Sequence, residues 1–300
     1  MNRVAQHPVQ AYLAALGAVA VLSIMDAVMK ALVLAIGIYA VSIWRSVLNL
    51  ILTSGLYLPR RLPWPTRRVL RIHLLRGAVT MVMAALFFWG IGRVPLAQAI
   101  ALTFIAPLIA LLLAAVLLDE KIGPRSIAGS FAAFVGVLII MTGQARADVG
   151  PDVLLGSVAI LGSALCYAFN IVLMRRQALA AKPLEINFFQ SLTVLTLWAL
   201  LIPVVGFPAF PATDWYWVVV ASLMSTAGGL LFAWAYARGE AGYLSTTEYS
   251  GFLWAAALGW LIFHEPLSSY TLAGAALIVG GCVFAARIKA TEPPAIDVAV

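Results

Sequence analysis

Apolar and polar positions in this chain are sorted into long blocks rather than into an alternating or one-sided pattern. Ten apolar segments can be drawn: Gln10–Ala31, Gly37–Leu58, His73–Gly92, Leu96–Leu118, Ser126–Gly143, Val153–Met174, Ile186–Val205, Trp215–Ala237, Gly242–Phe263 and Tyr270–Ala286. A helix needs about 20 apolar residues to cross a hydrocarbon core of roughly 30 Å, and these segments approach or reach that length. A β-barrel would instead show alternating stretches of about ten residues. The connections are short, so consecutive helices are antiparallel neighbours, and no segment is left for a soluble domain. The tail 288–300, with Pro293-Pro294, reads as a disordered extension.

The blocks repeat. Displacing the chain by 145 residues sets Phe87 on Phe232, Trp89 on Trp234, Arg93 on Arg238, Glu120 on Glu265, Gly129 on Gly274 and Gly136 on Gly281, with eleven identities in fifty-three positions from Ala84 to Gly136. The stretch Pro95–Glu120 thereby corresponds to Gly242–Glu265, each ending on a glutamate. The two halves, 1–144 and 152–287, hold five segments each, an odd number, so the second half must lie inverted relative to the first. Inverted repeats with a site near the midplane are typical of secondary transporters. The expected architecture is therefore an all-α integral membrane protein, ten transmembrane helices arranged as two inverted five-helix repeats around a central cavity.

Composition agrees: 63% of residues are hydrophobic, 10% are charged and the mean hydropathy is +1.01, against about 45–50% apolar and 25% charged in soluble domains. The net charge of +7 has a simple source. With the N-terminus in the cytoplasm, fifteen of the nineteen lysines and arginines fall on that side, Lys30, Arg93 and Arg146 fall outside, and Arg45 lies within a segment. That bias sets orientation, with both termini cytoplasmic in a bacterial inner membrane, and the basic residues form no tract suited to nucleic acid. The first apolar segment runs on past Ala18-Val19-Ala20, unlike a cleavable signal. Cys166 and Cys282 read as buried thiols, and His7, His73 and His264 are too scattered to hold a metal, so neither a metal site nor a cofactor is expected.

Several segments together resemble the EamA-type ten-helix carriers of the drug/metabolite transporter superfamily. They are SIMDAVMKAL (Ser23–Leu32), WRS (Trp44–Ser46), LLRG (Leu74–Gly77), VPLAQAIALTFIAPL (Val94–Leu108), LLDEKIG (Leu117–Gly123), Gly136-Val137, ALCYAFNIVLMRR (Ala164–Arg176) and FHEPLS (Phe263–Ser268). The resemblance implies a basket of helices around a cavity opened alternately to each side without ATP. It suggests export of amino acids, aromatic or neutral ones foremost, or else uptake of another polar metabolite such as an S-adenosylmethionine-like or carboxylate/amine solute. Thr247-Glu248-Tyr249 departs from the proline or apolar residue that family members often carry there.

Ionisable side chains inside a bilayer are costly, so each needs a reason. Asp26 and Lys30, one turn apart, either pair with each other or meet the amine and carboxylate of a substrate. Arg45 either snorkels or holds Asp26. Glu248, about six residues into the ninth segment, is a candidate proton carrier or ammonium acceptor, or else a neutral glutamate near the interface. Pro107 removes the amide that would bond the Thr103 carbonyl, and the repeat sets Thr103 opposite Glu248. Phe104, Tyr167, Trp234, Tyr243, Tyr249 and Trp254, with Gln98, Ser163 and Asn170, complete the candidate cavity wall, although some of these aromatics are expected to face lipid. Glu120 and Glu265 read as gate anchors or structural ion pairs needing local partners, because a carboxylate at a helix C-terminus opposes the helix dipole. The glycine rows of the fifth and tenth segments suit close packing within the bundle or, less readily, a weak homodimer; the chain is otherwise expected as a monomer.

Other functional classes lack their apparatus. There is no Gly-Lys dipeptide for a nucleotide-binding loop and no G-x-S-x-G for a serine hydrolase. A membrane-embedded enzyme, with Asp26 and Glu248 as its acids, and a channel remain the second class. The leading reading is a carrier of a small amphipathic solute by alternating access.

Overall fold

The computed structural model describes residues 8–60, 64–106, 109, 113, 124–146, 151–178, 180–236, 247–248 and 250–286. Pro107, Glu120, Tyr243, Tyr249 and the tail 288–300 lie outside the described residues. Among those described there is no strand, as the bilayer requires of a chain that must satisfy its own backbone. The principal helices are α1 (Pro8–Ile36), α2 (Ile38–Tyr57), α3 (Arg67–Ile91), α4 (Leu96–Thr103), α5 (Pro124–Arg146), α6 (Pro151–Ala178), α7 (Pro183–Ala199), α8 (Trp215–Tyr236), α9 (Ser250–Phe263) and α10 (Ser269–Ala286). Six spans among the described residues are long and apolar enough to cross a membrane: 9–36, 38–60, 67–91, 151–170, 184–205 and 215–232.

Helix ends depart from the sequence expectation for identifiable reasons. α3 begins at Arg67, ahead of its apolar run, because the Thr66 side chain accepts from the Val69 amide at 3.5 Å and caps the helix. The seventh segment divides into α7 and a single turn, Ile202–Val205, at Pro203, which has no amide to donate to the Ala199 carbonyl four residues back. The regular part of α4 stops at Thr103 rather than running to Leu118, four residues before the proline that cannot donate to the Thr103 carbonyl. Thr247 and Glu248 lie in a tight helical turn just ahead of α9.

The helices are apolar all round, and size decides which face turns inward. Ala11, Ala15 and Ala235 are buried where α1 meets α8, while Leu13, Phe131, Trp260 and Leu261 stand exposed. In lipid, close backbone approach through small residues replaces the hydrophobic drive between helices. The most extensive pairings are α5 with α10, α3 with α6, α1 with α8, α2 with α7 and α3 with α7, followed by α1 with α9 and α4 with α9.

The α5–α10 seam depends on glycine. A Cβ on Gly136 would stand 2.7 Å from the Gly274 carbonyl oxygen, and one on Gly274 would stand 2.6 Å from that of Gly136. These two members of the glycine rows are thus spent on contact within one chain. Gly136→Ile or Gly274→Ile is expected to lower stability by about 1–3 kcal/mol through overpacking. Gly280→Ala, with open space around its position, is expected to change little. Thermal unfolding of the purified protein in detergent checks the contrast.

Candidate functional site

Charge enters this bundle at a few places, and each is held differently. At the end where α1, α3 and α9 finish and α2, α4 and α10 begin, Glu265 joins three helices. Its Oε1 pairs with Lys30 Nζ, and its Oε2 accepts the Leu96 amide at 2.7 Å, the first amide of α4. Lys30, 4% exposed, also donates to the Val94 carbonyl at 2.6 Å and stands 5.1 Å from the Phe263 ring centre. The carboxylate therefore meets both a cation and the positive end of a helix dipole. Glu265 reaches this position because His264 adopts φ 54°, turning the chain back after α9, and its amide returns to the Gly259 carbonyl at 3.1 Å. Gly259 leaves room for it: a Cβ there would lie 2.9 Å from Glu265 Oε2.

This corrects two expectations. Lys30 is not paired with Asp26 one turn away, because Glu265 and the Val94 carbonyl take its ammonium. Glu265 does not oppose the dipole of the helix before it, because the chain reverses and aims it at the start of α4.

Asp26 instead has Arg45 as its charged neighbour. Asp26 lies ten residues before the end of α1 and Arg45 seven residues after the start of α2, about 15 and 10 Å along their helices. In a core of roughly 30 Å both sit near mid-depth. They act on each other electrostatically without closing into a direct ion pair. The Arg45 guanidinium lies 5.1 Å from the Phe88 ring centre, and its main-chain carbonyl accepts from Ser222 at 3.4 Å. Arg45 Nε and Asn49 Oδ1, one turn apart on α2, are buried with no hydrogen-bond partner among the described residues. An unsatisfied buried polar group costs about 1–3 kcal/mol, so these two atoms leave α2 short of polar partners at the depth of Asp26.

The other predicted wall residues divide. Gln98 reaches Ser157 at 3.4 Å, Ser163 donates to the Met83 carbonyl at 2.9 Å, and Asn170 accepts from Arg76 at 3.0 Å. These three tie α6 to α4 and α3. Phe104 is buried, Tyr167 half-buried, and Thr103 donates to the Ile100 carbonyl at 2.7 Å. Thr247 is buried and Glu248 half-buried. Trp234 and Trp254 lie on exposed faces, beside Leu230 and Leu231 and beside Leu253, Trp260 and Leu261.

The architecture has counterparts among known proteins. A sequence profile of the EamA-like transporter family matches twice, over residues 9–142 and 154–287. The chain belongs to this family. The pseudopaline exporter of Pseudomonas aeruginosa is 28% identical over 75% of this chain and 78% of its own length. The riboflavin transporter of Brucella anthropi is 26% identical over 82% and 87%, and the S-adenosylmethionine uptake transporter of Rickettsia bellii is 23% identical over 71% of each. One solved crystal structure superposes with a TM-score of 0.64 over 94% of this chain and 99% of its own, at 21% identity, and so shows a shared fold. The protein is an integral membrane transporter of the EamA type.

Sequence reasoning missed the joining of Lys30 to Glu265, 235 residues apart, and it missed Asn49. A signal existed for each. Lys30 and Glu265 fall on the same expected side, where charges are scarce, and Asn49 follows Arg45 at helical spacing. Breaking a buried pair by removing one partner costs about 3–5 kcal/mol, because the other charge stays buried. Lys30→Met and Glu265→Gln are each expected to destabilise strongly, and the double variant to lose clearly less than their sum. A double-mutant cycle on thermal unfolding measures that coupling; strictly additive losses would show that the pair is not coupled.

Proposed function

We propose that this transporter carries a small zwitterionic solute, with its ammonium held by Asp26 and its carboxylate by Arg45. The observation that carries the reading is the pair of opposed charges at mid-depth that do not close on each other, beside the unpartnered Arg45 Nε and Asn49 Oδ1. An α-amino carboxylate presents both charges at that scale. Neutral and aromatic amino acids fit, with export the favoured direction. The named relatives carry different cargoes, and family membership alone does not select among them. S-adenosylmethionine, which the Rickettsia bellii relative takes up, bears the same amine and carboxylate, so a larger solute with that head group is the alternative.

Movement would follow alternating access between two inverted halves, 1–144 and 152–287, in a bacterial inner membrane with both termini in the cytoplasm. The helix pairing supports this reading. Exchanging each helix with the one five places on turns the α1–α8 contact into the α6–α3 contact and returns α2–α7, α4–α9 and α5–α10 to themselves. A pseudo-two-fold arrangement has that property. The distribution of lysine and arginine supports the orientation, which places the Lys30–Glu265 contact at the outer end as a closed gate. Glu248, in the other half, remains the candidate second acid.

Reconstituted protein should show saturable uptake of labelled phenylalanine or S-adenosylmethionine, with counterflow. A charge-assisted hydrogen bond is worth about 1.5–3 kcal/mol, so Asp26→Asn and Arg45→Gln should each weaken apparent affinity by roughly ten- to a hundredfold. Trp254→Leu, on an exposed face, should leave it nearly unchanged. If amino carboxylates neither move nor compete, or if both charge variants transport normally, the reading fails.

A further inference from the structure

At the opposite end of the bundle, where α2 and α6 finish and α3 and α7 begin, a chain of polar side chains is enclosed. His73 on α3 is 0% exposed and its ring stacks on Phe189 of α7 at 5.1 Å and 7°. Its Nε2 lies 3.1 Å from Glu185 Oε1 of α7. Its Nδ1 contacts the side-chain nitrogen of Gln177 on α6, itself 0% exposed. The Gln177 oxygen accepts from Arg76 Nη1, and Arg76 Nε donates to Asn170 Oδ1 at 3.0 Å. The run Glu185, His73, Gln177, Arg76, Asn170 thus fastens α7 to α3 and α3 to α6.

Donor and acceptor roles in this run follow from one end. A guanidinium only donates, so the Gln177 atom facing Arg76 must be its oxygen. The Gln177 amide hydrogens then face His73, so Nδ1 must carry a lone pair and Nε2 the proton, which it donates to the Glu185 carboxylate. The assembly is complete with neutral imidazole and balances one cation against one anion. A second proton on Nδ1 would set an N–H against the Gln177 amide hydrogens. Turning the Gln177 amide over would only move the conflict to Arg76. The imidazolium is therefore accommodated only if Gln177 parts from His73 or from Arg76, which loosens the α3–α6 contact. It would also leave an uncompensated positive charge in a site closed to water.

We propose that His73 Nδ1 is a proton-binding site through which pH acts on this transporter, protonation releasing Gln177 and opening the end of the bundle formed by α3, α6 and α7. The proton comes from water at that end and stays on the ring until the joint re-forms. Around the ring, α3 presents Arg76, α7 presents Glu185, and α2 presents Tyr57, whose hydroxyl lies in the field of Glu185 and whose ring stacks on Phe188 at 4.8 Å. From α6 come the amides of Gln177 and Asn170 and the hydroxyl of Tyr167, which acts electrostatically on Arg76. With the Lys30–Glu265 contact at the far end, the bundle has a charge-paired closure at one end and a proton-labile one at the other. This site does not depend on the cargo.

The test uses the full-length protein in liposomes with no solute added. Cys166 and Cys282 are replaced by serine, and spin labels are attached through Arg68→Cys on α3 and Ala180→Cys just after α6, both exposed positions. Between pH 8 and pH 5.5, a longer label separation should grow from a minor to a major share. His73→Gln should abolish that growth. Gln177→Glu puts an acceptor opposite Nδ1, favours the protonated ring and should move the midpoint to higher pH. A purely structural joint would give no such shift. In parallel, a protein carrying His7→Gln and His264→Asn keeps His73 as its one histidine. Its ring nitrogens, read by 15N resonance, should show a bare Nδ1 and protonated Nε2 at pH 8, and a second proton at the same midpoint. A pH-independent label separation, a ring that stays neutral to pH 5.5 or a proton on Nδ1 at pH 8 would each overturn the proposal.

Discussion

The organising constraint of this structure is how the half-buried Glu265 is satisfied. A carboxylate set against apolar helix ends needs both a cation and hydrogen-bond donors, and it obtains them from α1 through Lys30 and from α4 through the Leu96 amide. Those two partners fix where α1 and α4 stand relative to the α9–α10 connection. The left-handed turn at His264 and the missing side chain at Gly259 are the local conditions that let the carboxylate reach them. A contact built on charge is also one that can open, since the separated partners regain hydration when that end is wetted. Apolar seams such as α5–α10, interlocked through Gly136 and Gly274, have no comparable alternative state.

Between the two ends, the mid-depth pair differs in kind. Asp26 and Arg45 remain apart, and the orphaned Arg45 Nε and Asn49 Oδ1 show that this region is not internally complete. Several other polar groups are consumed, Gln98 by Ser157, Ser163 by a main-chain carbonyl and Asn170 by Arg76, while Tyr57 Oη near one end is also buried without a partner. In the proposed mechanism a solute completes the mid-depth site, which is flanked by one closure of fixed charges and another whose hydrogen bonds fit only a neutral imidazole. On this reading the solute and the proton bias different contacts in one set of helices.

Much of this was legible in the sequence, because bilayer constraints act on composition and length. The apolar blocks located the described helices, and the displacement by 145 residues is the sequence's own argument for two halves. What stayed hidden was pairing across long separations. Lys30 has Asp26 one turn away in sequence, and local spacing favours that pair until the turn at His264 brings in Glu265. Trp234 and Trp254 sit on helices apolar on every side, so no periodicity distinguishes an inward face from one toward lipid; on α9 the buried small residues Gly251, Ala255 and Gly259 mark the side that packs. Helix ends were hardest where proline intervenes, as at Pro203.

The central claim is that Lys30 and Glu265 close the outer end above a solute site at Asp26 and Arg45. Ser42, buried on α2 one turn before Arg45 toward that end, reports on it directly. In a Cys166→Ser, Cys282→Ser background, Ser42→Cys is labelled from outside with a membrane-impermeant maleimide, with and without Glu265→Gln. The account predicts slow labelling with Glu265 intact and labelling about tenfold or more faster in the variant, corresponding to ~1.4 kcal/mol of lost closure. Equal labelling rates in the two proteins would contradict it.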